Sequence, residues 1–131
     1  MKKILLLSDT HSYIDDRILE YAKNADEIWH AGDFGNLEVI DELKKVGKLR
    51  GVFGNIDDAK IKAEFPEIAI FECEKVKIFM IHIGGYPHKY APRVKEKLKE
   101  EKPQIFISGH SHILKVMYDK ELEILHLNPG A

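Results

Sequence analysis

The chain has a single cysteine, Cys73, among its 131 residues, so no internal disulfide can form. Lying in an apolar-alternating segment, that thiol is expected to be buried and to sit in a reducing compartment. Long hydrophobic runs are lacking as well. After Met1-Lys2-Lys3 the run Ile4–Leu7 gives way at once to Ser8-Asp9. It is too short for a signal-peptide core or a membrane span, and a cytoplasmic protein is the expectation. Neither sign of charge dominates: 20 basic and 22 acidic residues leave −2 with histidine neutral. With no basic run either, a dedicated nucleic-acid or anionic-membrane binder is disfavoured. Internal repeats, low-complexity tracts and linkers are also missing. The remainder, 44% hydrophobic and 32% charged, fits one globular domain spanning residues 1–131 around one sizeable core.

Apolar periodicity divides the chain into alternating elements. Lys3–Ser8 is a continuous apolar run that reads as a strand covered on both faces. Ile14, Ile18, Leu19 and Ala22 form a helical stripe closed by Asn24-Ala25-Asp26, with Asp9 or Ser12 as its cap on the simplest reading. Glu27–His30 is a second strand. Asn36 is the expected N-cap of a helix whose apolar face is Leu37, Val39, Ile40 and Leu43, stopped by Gly47. Leu49–Phe53 is a third strand, and Asp57 or Asp58 caps a short segment beyond it. Strands alternating with helices imply parallel pairing and helical crossovers. After Pro66 the pattern changes. Ile68–Cys73 and Val76–Ile83 read as a hairpin, Ala91–Glu101 as an amphipathic helix ended by Pro103, and Gln104–Ser108 as a buried strand. A second hairpin is expected from Ile113–Tyr118 and Leu122–Leu127, turning at Asp119-Lys120-Glu121.

Polar groups gather where the strands end. The first strand delivers Asp9 and His11, the second Asp33 within Gly32-Asp33-Phe34-Gly35, and the third Asn55 after Gly54. The fifth ends at His82. The strand before Gly109 is followed by His110 and His112. If the backbone there stays extended, residues i and i+2 point to one side and both imidazoles enter one volume. Each pair alone is weak, since a polar turn or a helix cap explains it. Together they supply four imidazoles, two carboxylates and one amide. That mixture suits first-row divalent metals and is too rich in nitrogen for a dedicated magnesium or calcium site. Seven groups exceed the needs of one tetrahedral ion. They match two ions sharing a bridging carboxylate. His30 reads as a core histidine and His88 as an exposed loop residue.

Taken in order, Asp9-x-His11, Gly32-Asp33, Gly54-Asn55-x-Asp57, His82 and Gly109-His110-Ser111-His112 resemble the motifs of the calcineurin-like metallophosphoesterases. The likeness covers nearly the whole chain. It is nearest to the small bacterial and archaeal phosphodiesterase subgroup that also includes the retromer subunit Vps29. The resemblance implies an α/β fold, specifically a two-sheet α/β/β/α sandwich. It implies two divalent ions, manganese first, with nickel, cobalt, iron or zinc as alternatives. Asp9, His11, Asp33 and His112 would bind one ion. Asp33, Asn55, His82 and His110 would bind the other, with Asp33 bridging. Asp33, Asn55 and His110 are the implied catalytic residues. The implied reaction is hydrolysis of a small phosphodiester by a hydroxide held between the metals. Asp57 would orient a neighbour rather than bind metal, and Ser12 and Tyr13 would line the pocket.

Three features depart from the family pattern. Ile56 stands where many larger members have a histidine that assists the leaving group. The fourth motif reads His82-Ile83-Gly84-Gly85 where small relatives often read His-Gly-His. Relatives usually continue a few tens of residues beyond Asn-Pro-Gly, so a C-terminal segment is expected beyond Ala131. Its absence would bare a sheet edge that favours a homo-oligomer. No basic residue adjoins any motif, which tilts the reading toward diesters over the more charged monoesters. A non-catalytic Vps29-like interaction scaffold is the competing reading, against which stand the four retained imidazoles. Tyr86 and Tyr90 are expected either at a substrate edge or packed on the nearby helix.

Overall fold

Neighbouring residues of one strand divide between different cores, and this division defines the architecture. In the computed structural model, which describes residues 1–131, β1 is Ile4–Leu7, β2 Glu27–His30 and β3 Leu49–Gly51. They form a three-stranded sheet in the order β1-β2-β3, parallel throughout. The sheet's connections are α1, Asp16–Asn24, and α2, Leu37–Val46; α3, Ala59–Glu64, follows β3. Leu5, Leu7 and Ile28 pack with Ala22, Val39, Ile40, Leu43 and Ile61 of those helices. Ile4, Leu6 and Trp29, on the opposite face, meet Ile78, Met80 and Ile107 of a second sheet.

The second sheet has five strands. They are β4 (Ile68–Cys73), β5 (Val76–Ile81), β8 (Ile105–Ile107), β9 (Lys115–Asp119) and β10 (Ile124–Asn128). Their order is β4-β5-β8-β10-β9. The pairs at its two edges are antiparallel and the two inner pairs are parallel. Phe79, Ile81, Phe106 and Ile124 face outward onto Val94 and Leu98 of α4, Val94–Glu101. Helices, sheet, sheet and helix therefore stack as the expected α/β/β/α sandwich. β1, β2, β5 and β8 are covered on both faces, which accounts for their unbroken apolar runs, whereas Ile70 of β4 and Val116 and Tyr118 of β9 stay exposed at the sheet's edges. No helix is long and apolar enough to cross a membrane.

Element ends depart from expectation for local reasons. α1 is capped by Asp15, whose carboxylate accepts from the Ile18 amide, and not by Asp9 or Ser12, which are drawn into the loop after β1. α2 is capped by Asn36 as its sequence predicts, and α3 by Asp58, leaving Asp57 free for another role. α4 starts at Val94 rather than Ala91, because Pro92 precedes it and Arg93 adopts φ 71°. β3 stops at Gly51 and β5 at Ile81. His88 is exposed as expected, at the turn of a small hairpin of β6 (Gly85–Tyr86) and β7 (Lys89–Tyr90). The second long hairpin begins at Lys115 and turns after Asp119. There the Asp119 carboxylate accepts from the Glu121 and Leu122 amides.

Candidate metal centre

All seven strand-end residues converge at one mouth of the sandwich, four from loops of the first sheet and three from loops of the second. The loops after β1 and β2 run side by side. Asp9 N–H donates to the Gly32 carbonyl at 2.9 Å, His11 N–H to Asp33 at 3.1 Å and Ser12 N–H to Phe34 at 2.8 Å. Across the mouth, Gly109 N–H donates to the His82 carbonyl at 3.0 Å, tying the β8 end to the β5 end.

The backbone is not extended where the imidazoles enter. His110 and His112 have φ of 70° and 64°, and Asp9, His11, Ser12 and Asp33 also lie in the left-handed region, at 55°, 47°, 69° and 60°. Convergence therefore comes from tight left-handed turns, which correct the extended His-x-His geometry expected from spacing. Such conformations cost non-glycine residues about 1–3 kcal/mol each and persist only where the surroundings enforce them. Here the surroundings are the zipped loops. Gly54 is enforced by contact instead: a Cβ there would lie 2.0 Å from Asp33 Oδ1.

The donors fall into two groups, Asp9/His11/His112 and Asp33/His82/His110, each with its ligand atoms within 4.8 Å of one another. The groups touch. His82 Nε2 is 3.1 Å from Asp33 Oδ2 and 3.7 Å from Asp9 Oδ1, and His11 Nε2 is 3.5 Å from Asp33 Oδ2 and 3.7 Å from Asp9 Oδ1. His112 Nε2 is 3.2 Å from Asp9 Oδ1. Asn55 Oδ1 lies 3.1 Å from His110 Nδ1.

His82 decides what this cluster can hold. Its Nδ1 is 2.8 Å from the Ala31 carbonyl, an acceptor, so Nδ1 carries the hydrogen. In the neutral ring Nε2 is then a bare lone pair. It faces carboxylate oxygens, which are also lone pairs. Asp9 Oδ1 and His82 Nε2 are both buried without a hydrogen-bond partner. Buried unsatisfied acceptors aimed at one another are costly unless a cation lies between them. Mixed imidazole and carboxylate donors suit a divalent transition metal. The residues present therefore fit the group implied by their spacing.

Supporting bonds hold the donors in place. Asp9 Oδ2 accepts from Ser8 Oγ and from His110 N–H, leaving Oδ1 for the centre. Asp33 Oδ1 accepts from Ile56 N–H at 3.1 Å, leaving Oδ2. Buried Asp57 does orient its neighbours: Oδ2 accepts from the Asp33 and Gly54 amides, and Oδ1 from Gly35. His30 is a core histidine. Its Nδ1 accepts from Gly32 N–H, so Nε2–H donates to Thr10 Oγ1, whose hydroxyl donates in turn to the Phe34 carbonyl. Burial holds its pKa at about 3, with His82 adding a smaller effect. It is thus a neutral brace between two ligand loops.

Some groups lie elsewhere or were not legible. Tyr13 is exposed, its hydroxyl on Asp15, in a hollow behind Asp9. Tyr90 donates to Asp119 and packs on Phe106, whereas Tyr86 borders a cavity beside His110. Asn128 escaped the sequence reading. Its Nδ2 donates to the Gly109 carbonyl and Ser111 Oγ, bracing the turn that carries His110. An Asn-Pro-Gly turn was its only signal. Two lysines were also missed: Lys89 and Lys115 reach the cavity beside His110, although neither adjoins a motif in sequence.

Comparison with known proteins agrees with this geometry. The sequence model of the calcineurin-like phosphoesterase superfamily domain matches residues 1–131. A probable metallophosphoesterase of Methanocaldococcus jannaschii is 36% identical over 135 residues, which cover 96% of this chain. The chain spans 66% of that relative's length, just under two thirds. A phosphodiesterase of the same organism is 24% identical over 144 residues, covering 98% of this chain and 82% of its own. Among solved structures, zinc-complexed Vps29 of Entamoeba histolytica superposes with a TM-score of 0.78 at 20% identity. That match covers 98% of this chain and 73% of the other.

Proposed function

The chain belongs to the calcineurin-like phosphoesterase superfamily, and from that membership and its cleft we propose that it hydrolyses phosphodiesters with two divalent transition-metal ions, manganese first among them. Asp9, His11, Asp33 and His112 would hold one ion. Asp33, Asn55, His82 and His110 would hold the other. The observation that carries this reading is the pair of buried, unpartnered acceptors, Asp9 Oδ1 and His82 Nε2, which lie 3.7 Å apart with Asp33 Oδ2 3.1 Å from His82 Nε2. When bound, such ions supply Lewis acidity toward phosphoryl oxygens and a nucleophile at neutral pH.

The chain's own residues do the rest. Asp33 Oδ2 faces both donor groups and is suited to bridge them. Asn55 is exposed at the cleft, where its amide NH2 can donate to a phosphoryl oxygen while Oδ1 serves the centre. Asp57 and Asn128 keep Asp33 and His110 at their stations. The diester preference is supported by the centre's own charge: Asp9 and Asp33 pair with imidazoles alone, and no lysine or arginine joins them. Lys89 and Lys115 stand in the adjoining cavity, outside the ligand cluster. A phosphodiesterase among the relatives supports the same choice. A cytoplasmic setting belongs to this proposal too, on the strength of the lone half-buried thiol of Cys73. The scaffold alternative is favoured by likeness to Vps29, but scaffolding gives no reason to converge four imidazoles on two carboxylates.

The test is add-back of manganese, nickel, cobalt, zinc and magnesium to metal-stripped protein, with an aryl phosphodiester and its monoester as substrates. Manganese is expected to restore diester turnover, and Asp33→Asn to lower it about 100-fold or more, at or above the upper end for removing a ligand's support. Two bound ions with no turnover in any metal would hand the chain to the scaffold reading.

A further inference from the structure

Beside the centre lies a cavity of about 260 Å³ that the proposed chemistry does not use. Gly109, His110 and Ser111 form part of its wall, so whatever enters it is contiguous with the metal centre. The sheet register builds the rest. Lys115 of β9 pairs with Asn128 of β10, and His126 lies two residues before Asn128. Residues i and i+2 share a face, so Lys115, His126 and Asn128 stand together on the outer face of the five-stranded sheet. Asn128 is the residue that grips the His110 turn.

The charge in this cavity is uncompensated. No aspartate or glutamate lines it. Lys115 has no carboxylate within ion-pair distance, and neither has Lys89, the other cation of the lining. Its ammonium sits 3.7 Å from the centroid of the Tyr86 ring, a cation–π contact that steadies the chain and leaves its three N–H donors free. Buried His126 donates from Nδ1 to the Phe106 carbonyl, so Nε2 retains a lone pair as an acceptor. Burial lowers the pKa of this ring, the Phe106 bond opposes, and the neighbouring Lys115 charge pushes it down as well. An unpaired cation above an aromatic ring, in an acid-free recess of a chain with net charge −2, is arranged for an anion attached to an organic body.

We infer that this cavity receives the organic part of the ester, and that Lys115 binds an anionic substituent on it. The substrates would then be phosphoesters carrying a second negative group, a carboxylate or a further phosphate. This inference rests on the phosphoesterase reading above and narrows its substrate class. Lys115 is a specificity determinant within it, and Tyr86 positions the ammonium.

The experiment is calorimetric titration of the manganese-loaded protein with two non-hydrolysable probes, benzyl(methyl)phosphinate and (4-carboxybenzyl)(methyl)phosphinate, in which P–C bonds replace both ester linkages. The carboxylated probe is expected to bind about ten-fold tighter, with the ratio falling as salt is raised. Lys115→Met should bring the ratio to about one, and Lys115→Arg should keep most of it. Lys120→Met, at an exposed lysine outside the cavity, should leave it at ten. Equal affinities in the wild type, no binding of either probe, or a preference that survives Lys115→Met would overturn the inference. Hydrolysis of the corresponding phenyl phosphodiester by the same preparation reports on the parent reading separately. Turnover without preference sinks the anion site and keeps the enzyme, and preference without turnover does the reverse.

Discussion

Single residues decide the chemistry, and Ile56 stands where the resemblance led a leaving-group histidine to be expected. Its amide donates to Asp33 Oδ1, so the backbone there still serves the centre. Its side chain is 45% exposed and carries no proton to give. With no acid at that position, bond breaking to the departing alcohol relies on the alcohol's own acidity. Turnover of a series of aryl phosphodiesters should therefore fall steeply as leaving-group pKa rises, and Ile56→His should flatten that slope. A wild-type slope near zero would show that another group supplies the proton. The donor residues were legible in the sequence because imidazole and carboxylate chemistry survives any backbone arrangement. Lys115, Lys89 and Asn128 were not, because their meaning depends on which strand lies beside which. The left-handed turns at Asp9, Asp33, His110 and His112 were also invisible, since only the zipped loops around them enforce those angles.

Among the elements, β2 links the layers most tightly, and Glu27 at its start is the one acid buried outside the ligand loops and the β9 turn. Lys2 Nζ and Trp29 Nε1 donate to its carboxylate, at 2.8 and 3.2 Å. The Lys2 bond chiefly, aided by Trp29, holds the carboxyl at about 2 although burial opposes it. A folded-state pKa below the unfolded value adds stability that is complete above about 4.5 and is lost as pH falls toward about 2. Glu27→Gln should then cost about 2 kcal/mol at pH 7, in the range for bonds to a charged group. The gap between variant and wild type should narrow from about pH 4.5 downward and close only as pH nears about 2. Urea unfolding followed by Trp29, the only tryptophan, measures both, and a gap unchanged from pH 7 to pH 2.5 would refute the assignment. The existence and kind of the main elements were readable from period and length. Their ends were not, because capping by Asp15, the Arg93 turn before α4 and the β6–β7 hairpin are local contests between several eligible residues.

For the molecule as a whole, the donor set is a clasp between two sheets. Asp9, His11, Asp33 and Asn55 come from loops of the three-stranded sheet, and His82, His110 and His112 from loops of the five-stranded one. The apolar layer between the sheets, around Trp29, Val52, Ile78, Met80 and Ile107, holds them face to face. Without cations, the mouth is closed by the His110 N–H bond to Asp9 and the His82 bond to Ala31, while its other buried acceptors face one another. Ions bound to the folded chain and not to the unfolded one stabilise it by mass action, by about 4 kcal/mol at a thousand times the dissociation constant. For a chain of this size that corresponds to a rise in Tm of roughly 10 °C. Calorimetric scans of stripped and manganese-loaded protein should show such a rise. His82→Ala should lose most of it, because the alanine supplies neither the lone pair nor the bond to Ala31. A loop-only role for the ions predicts otherwise: the melting temperature would stay put while hydrogen exchange slowed only near the mouth. If instead Tm rises and His82→Ala keeps the full increment, the metals bind at some other place. The order of the motifs along the chain picked out the residues that converge at the mouth. That they come from two sheets follows from the separate pairing of β1, β2 and β3 and of β4, β5, β8, β10 and β9.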